Sequence, residues 1–340
     1  MDIREIKMRR LANQYLIEPT DAKTVLRDLC GLQAQFLSNA FHALRIRSTN
    51  FNQTPSEGYM KNWTLRGTMH LFDEYDLPLM LHKGRTHKLR PCDTLDTDEW
   101  ISAERKRYFA DLILSAVSEG NNEREGLKQI CAKAGMTANE EKSIFNPWGG
   151  LIRALCESGR LSHAVSERKA LVPCPAFTPM EKDEAECELV RRYFTHYGPA
   201  MIRDAVYFFG CKQSDVKRWL DKLPVKAVTC GERTYYYIEE TPENREIPAC
   251  IFLAGFDPLM MGYEKTENPF LPQEYLRAVF SLSGIVMPTL LIDGSVGGKW
   301  KRTGKRIDVT LFDQASRKTK AMIEDAAGQI WHDVKEVRFL

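Results

Sequence analysis

No C-x-x-C pair occurs among the nine cysteines, and the seven histidines form no pair at ligand spacing beside them. That leaves no expected metal site of the zinc type. Met1 to Arg10 is charged and carries no apolar run, so a secretory signal is not expected, and an odd number of thiols fits reduced cysteines in a cytoplasm. The uncharged stretch from Ala278 to Ile292 is interrupted by Ser281, Ser283 and Pro288 and is too short to span a bilayer. There is no G-x-S-x-G elbow and no G-x-G-x-x-G turn. The glycine-rich stretch from Gly294 has Trp300 after Lys299, where a phosphate-binding loop needs Ser or Thr. Serine-hydrolase, dinucleotide and P-loop chemistry therefore have no footing here.

What is present is a folding sequence with uneven charge. At 340 residues and 43% hydrophobic content the chain is long for one core, and several modules are expected. The net charge of +2 conceals two basic stretches. One holds Lys83, Arg85, Lys88 and Arg90 between Leu79 and Pro91. The other holds Lys299, Lys301, Arg302, Lys305 and Arg306 between Gly294 and Arg306, and neither contains an acid. An acidic run, Glu181, Asp183, Glu184, Glu186 and Glu188, stands against them. Basic stretches attract polyanions, although either could equally be a solvated face.

The order of elements repeats. The apolar positions Leu189, Val190, Tyr193, Phe194 and Tyr197 mark one helix face. Tyr197-Gly198-Pro199 breaks it, a second helix runs from about Ala200 to Phe209 and ends at Gly210, and a third carries Val216, Trp219, Leu220 and Leu223. Strands at Val225–Cys230 and Thr234–Ile238 follow. Three helices and a hairpin are the order of a winged helix-turn-helix. An earlier segment reads alike, with helices near Ile101–Val117 and Leu127–Ala134, a third opened by Pro147, and strands about Arg160–Val165 and residues 169–172. The first 90 residues offer helices near Ile6–Gln14, Ala22–Leu29 and Ala40–Ile46 before a strand-like Trp63–Phe72. After Pro248 short strands are expected at Ile251–Leu253, Ala278–Ser281, Ile285–Ile292 and Ile307–Phe312, with a surface helix near Arg317–Asp325. The expected fold is α+β: tandem winged helix-turn-helix units at 1–95, 96–178 and 179–244, then a small β-rich domain at 245–340.

Two places carry candidate chemistry. Gln33 and Gln35 follow the helix whose apolar positions are Ala22, Val25, Leu26 and Leu29, and they cannot both serve its apolar face. An amide donates and accepts at once, so two together suit the placing of a water on an already activated substrate. In a chain with nine glutamines such a pair alone is a weak signal. The second place is Trp63–His70, where strand alternation would set Arg66, Thr68 and His70 on one face suited to a phosphate. A half-exposed strand with one chance histidine reads the same letters equally well.

Taken jointly, Leu32-Gln33-Ala34-Gln35, Arg66-Gly67-Thr68-Met69-His70, Tyr197-Gly198-Pro199-Ala200, Phe256-Asp257-Pro258-Leu259 with Gly262-Tyr263, and Gly298-Lys299-Trp300 resemble the AlkZ-like and YcaQ-like family of winged-helix DNA glycosylases. Where members often carry Asp-Arg after the Gly-Tyr step, this chain has Glu264-Lys265. The resemblance implies tandem winged helices on double-stranded DNA and removal of N3- or N7-alkylated purines, interstrand crosslinks included. It implies Gln33 and Gln35 as the catalytic pair. Arg66, Thr68, His70, Lys83, Arg85, Lys88, Lys299, Trp300, Lys301 and Arg302 are then candidate DNA contacts. A monomer without cofactor, metal or membrane is expected. A transcription regulator on the same scaffold and a non-catalytic DNA-structure binder remain the alternatives.

Overall fold

Asp2 and Asp21 fix the first two helices by capping. The Asp2 carboxylate accepts the Glu5 N–H at 2.8 Å and starts α1 (Ile3–Asn13). Asp21 accepts from Lys23 and Thr24 and starts α2 (Ala22–Asp28). Each satisfies backbone donors that the first turn leaves open. The computed structural model describes residues 1–51, 57–84, 89–168, 170–239, 241 and 245–340. The chain is mixed helix and sheet and divides into two units, Met1–Thr54 with Glu186–Leu340, and Pro55–Ala185.

In the first unit, Ala22, Val25, Leu26 and Leu29 are buried as the helical spacing demands. A two-residue strand β1 (Leu32–Gln33) leads to α3 (Leu37–Arg45). Helix α1 buries charge as well as apolar surface. Fully buried Arg10 donates to the Pro199 carbonyl at 2.8 Å, meets Asp204 at 3.3 Å and lies 3.8 Å over the Tyr263 ring.

In the second unit, β2 (Tyr59–Trp63) and β3 (Met69–Asp73) pair antiparallel in the register Asn62↔His70 and Trp63↔Met69. The expected single strand from Trp63 to Phe72 is thus a hairpin. Its turn carries Arg66 at φ 56° and Gly67 at φ 64°, both in the left-handed region. Short α4 (Leu77–Met80) follows. Four helices come next, α5 (Ala103–Ser118), α6 (Arg124–Lys133), α7 (Ala138–Ile144) and α8 (Leu151–Glu157). Sequence periodicity missed α7, which is only seven residues long and is specified by its ends: Thr137 and Glu140 form a capping box. Pro147 does not open α8; Gly150, with φ 73°, does. Strands β4 (Leu161–His163) and β5 (Leu171–Pro173) extend the β2–β3 hairpin into the order β3-β2-β4-β5. Phe109, Ile113, Leu127, Cys131, Ile144, Leu151 and Leu155 form the core beneath.

The first unit resumes in α9 (Lys182–His196), α10 (Ile202–Phe209) and α11 (Gln213–Leu220). Gly210 closes α10 at φ 64°, the left-handed cap a glycine adopts without strain. Hairpin β6 (Lys226–Cys230) and β7 (Arg233–Tyr237) turns at Gly231. The last sheet begins with β8 (Cys250–Phe252), followed by two short helices, α12 (Pro258–Met261) and α13 (Leu276–Val279). Helix α13 stands where a strand at Ala278–Ser281 was expected. Strands β9 (Thr289–Ile292), β10 (Ser295–Thr303) and β11 (Arg306–Leu311) are antiparallel neighbours. Helix α14 (Arg317–Ile330) then leads to β12 (Glu336–Phe339), which joins β11 in parallel. One face packs Phe252, Leu290, Ile307 and Val309 against Ile323, Ala327 and Trp331. Asp293 and Gly294 bend left-handed, and Gly298 lies within β10 where a Cβ would sit 2.7 Å from the Thr310 carbonyl.

Candidate functional site

Gln33 sits on the two-residue strand β1 and Gln35 at the bend before α3, neither on the end of a helix. After α2 the chain passes through two consecutive left-handed residues, Cys30 at φ 57° and Gly31 at φ 77°. Their N–H groups return to the carbonyls of Arg27 and Leu26. The reversal leads into β1, and the chain bends again at Gln35 and Phe36 before α3 begins. Leu32 and Ala34 are each 1% exposed, Gln33 is half-buried and Gln35 is exposed. Burial thus alternates along these four residues, and both glutamines lie outside the core that Leu32 and Ala34 join. Two amides two residues apart can bracket a single water.

Packing on both sides fixes this run. Behind it, the Tyr197 hydroxyl donates to the Leu29 carbonyl at 3.0 Å, and Arg192 donates to the Arg27 carbonyl at 2.8 Å. Ahead of it, Phe36 occupies the cap position of α3 with no side-chain bond to the helix and leaves its ring 46% exposed, touching Phe256. Gly255 lets Asn39 pack close, since a Cβ there would lie 2.7 Å from the Asn39 amide nitrogen. Below, Arg47 holds Asp257 through two bonds of 2.6 and 3.0 Å, both side chains fully buried. Asp257 also accepts the N–H of Leu259 at 2.9 Å. His42, on α3, reaches the Phe252 carbonyl at 2.6 Å and stacks on Trp331. Burial pushes its imidazole down to about 4, so the ring is neutral and its Nε2–H is the donor. The motifs around Tyr197, Asp257 and Gly262 thus form one framework around the glutamines. Sequence reading found these letters, as a helix break and as part of the family resemblance, but gave Tyr197 no partner.

The second unit does not set Arg66, Thr68 and His70 on one face. Arg66 is at the hairpin turn, and the Thr68 hydroxyl donates back to the Leu65 carbonyl at 3.1 Å. His70 is buried beside the Thr64 hydroxyl at 2.9 Å. Burial first, then the Arg66 charge, push His70 down to about 3, which is the state of a core histidine. Lys83 is exposed and ion-paired with Glu181 of the acidic run. Arg90 holds buried Asp93 and the Trp148 carbonyl. Arg85 and Lys88 lie outside the described residues.

The C-terminal cations divide by strand parity. Trp300 turns inward: its indole N–H bonds the Leu253 carbonyl at 2.9 Å, and its ring meets His42 and Trp331. Arg302 follows it and forms two bonds of 2.7 and 2.8 Å to Asp333. Lys299 and Lys301 fall on the opposite side of β10, with Lys301 directly across from Asp308. The tip of the β10–β11 hairpin is Gly304 with Lys305, and Trp300 stands well back from it. At the departure from the family pattern, the Glu264 N–H donates to Asp204, and the Lys265 ammonium lies 4.8 Å from the centre of the Phe280 ring.

Among the described residues no cluster of three or more His, Cys, Asp or Glu could hold a metal ion, and no helix is long and apolar enough to cross a membrane. The family model described as "DNA glycosylase AlkZ-like" matches residues 26–331. The chain is 24% identical to an "Interstrand DNA cross-link repair glycosylase" of Streptomyces sahachiroi, over 96% of this chain and 95% of that one. The solved structure of the Streptomyces sahachiroi DNA glycosylase AlkZ is similar in fold, with a TM-score of 0.76 at 21% identity over the whole of both chains.

Proposed function

The chain belongs to the AlkZ-like family of DNA glycosylases, and from that premise we propose that Gln33 and Gln35 place the water with which it excises alkylated purines. A DNA glycosylase is a hydrolase of N-glycosyl bonds. The observation that carries the catalytic reading is the alternation of buried Leu32 and Ala34 with half-buried Gln33 and exposed Gln35 on a segment braced from both ends.

Alkylation at N3 or N7 leaves a purine cationic, so it departs as a neutral base without being protonated. The bond between C1′ and the base nitrogen breaks, its electron pair leaves with the base, and positive charge gathers on the sugar as in other glycoside cleavages. The water oxygen then bonds to C1′ and releases a proton to solvent. Amide carbonyls aimed at the water and at the sugar stabilise that charge, and no side chain changes protonation. The described relative is named for interstrand crosslinks, and we extend that substrate to this chain. A base tied to the opposite strand cannot swing into a deep pocket, and amides outside the core suit one that stays near the duplex.

For the scaffold, we read α9–α11 with β6–β7, and α5–α8 with β4–β5, as winged helices on duplex DNA. The first helices form a third such unit, and 245–340 is the β-rich module of a protein that works as a monomer in the cytoplasm. Lys83, Lys299 and Lys301 are its phosphate contacts in the described residues. The test is base release from defined N3- and N7-alkylpurine duplexes and a crosslinked duplex. Free base and abasic sites support the reading. Binding without abasic sites on every lesion refutes it.

A further inference from the structure

The turn that aims the glutamines has one buried hydrogen bond whose only evident task is its geometry. Helix α2 ends with exposed carbonyl dipoles, as every helix does, and those of Leu26 and Arg27 are met by Gly31 and Cys30. The Leu29 carbonyl lies just before the two left-handed residues and is met by the Tyr197 hydroxyl alone among the hydrogen bonds described. Tyr197 is itself immobilised. It is 1% exposed, its ring stacks on Tyr193 at 5.0 Å, and its backbone carbonyl accepts the Tyr263 hydroxyl at 3.0 Å. Tyr263 is held in turn by Gln14 at 2.9 Å. Gly262 has no side chain because a Cβ would lie 2.4 Å from the Tyr197 ring.

We propose that the Tyr197 hydroxyl is a positioning group for the catalytic pair: by fixing the Leu29 carbonyl it sets the direction in which Leu32–Gln35 leaves the left-handed turn. Arg192, one helical turn earlier on α9, holds the neighbouring Arg27 carbonyl and acts in the same sense. Neither side chain touches substrate. A carbonyl freed from its donor rotates, and a rotation four residues before Gln33 displaces both amides together. Placement is where such a reaction is sensitive, since a displacement of about 1 Å can cost up to about a hundredfold in rate. This rests on the glutamine reading above.

A matched control lies in the same core. The Tyr193 hydroxyl is equally buried and donates to the Gly262 carbonyl at 2.8 Å, but it makes no bond to the α2 end. Tyr197→Phe and Tyr193→Phe each remove one oxygen and keep the ring, so both should lower the melting temperature alike. With the full chain saturating an N7-methylguanine duplex, Tyr197→Phe should slow single-turnover excision about ten- to a hundredfold at unchanged duplex affinity. Tyr193→Phe should excise as wild type. In a Gln33→Ala/Gln35→Ala background, Tyr197→Phe should remove nothing further from the residual rate. Arg192→Ala, at the half-buried edge, provides the same test without opening the core and should also slow excision. Equal excision by the two tyrosine variants, or an undiminished Tyr197→Phe effect without the glutamines, overturns the positioning role while leaving the glutamines catalytic. Wild-type excision by the glutamine double variant overturns both.

Discussion

Removing the Asp257 carboxylate should destabilise the first unit more than almost any other single change there. Arg47 and Asp257 are both fully buried and joined by two bonds, and Asp257 also accepts the backbone N–H of Leu259 and, at 3.3 Å, that of Ala254. Asp257→Ala leaves a guanidinium out of water with only the Ala43 carbonyl, 3.1 Å away, as its described partner. Breaking a buried pair from one side typically costs about 3–5 kcal/mol, because the remaining charge is uncompensated. At about 1.4 kcal/mol per decade that lowers the folding constant by two to four decades. Urea unfolding should show a lower midpoint with little change in slope. Arg47→Met with Asp257→Leu removes both charges and should recover a large part of the loss. Equal midpoints for Asp257→Ala and wild type would show that water reaches the pair, and the reasoning from its burial would fail. A double variant less stable than the single one would refute the claim that the stranded charge is the main cost.

Acid should weaken the fold through two histidines. Burial holds His42 and His70 down to about 4 and about 3, against the ordinary 6.5, so the unfolded chain takes up protons that the folded chain refuses. Stability is then full above pH 6.5 and falls as the pH drops toward 4, by about 3 kcal/mol for His42 alone. Melting temperatures from pH 8 to 4 should decline over that window, and a flat profile would contradict the burial. Lys299→Ala with Lys301→Ala should flatten the slope of log affinity against log salt by roughly 2, since each phosphate contact contributes about 0.9. Arg302→Ala, already tied to Asp333, should change that slope less. An unchanged slope in the double variant would place that face of β10 away from DNA.

The helices with strong apolar stripes were legible, because a stripe is a local property. Ala22, Val25, Leu26 and Leu29 declared α2, and Gly210 declared where α10 ends. The turn at Arg66 was not legible, because strand alternation continues through the letters while the backbone reverses at a non-glycine residue. His70 and Trp300 looked like surface chemistry, but His70 is buried, and half-buried Trp300 packs on Leu253 and Trp331, partners distant in sequence. The glutamine pair could be named from sequence. Its place on a short strand and bend, with Leu32 and Ala34 buried, could not, since the preceding helix suggested a helical end. Tyr197 shows the same limit: its hydroxyl meets a carbonyl 168 residues away.

The central claim is that Gln33 and Gln35 act in excision and not in binding. The most direct measurement compares single-turnover base release with duplex affinity for Gln33→Ala and Gln35→Ala on one alkylpurine duplex. Loss of one placed hydrogen-bonding group predicts about a 10²- to 10³-fold slower release for each. Affinity should be nearly unchanged, because phosphate contacts dominate it. The remaining rate of the wild type should vary little with pH, since neither amide titrates. Release at the wild-type rate by both variants, or loss only in proportion to lost affinity, would contradict the claim.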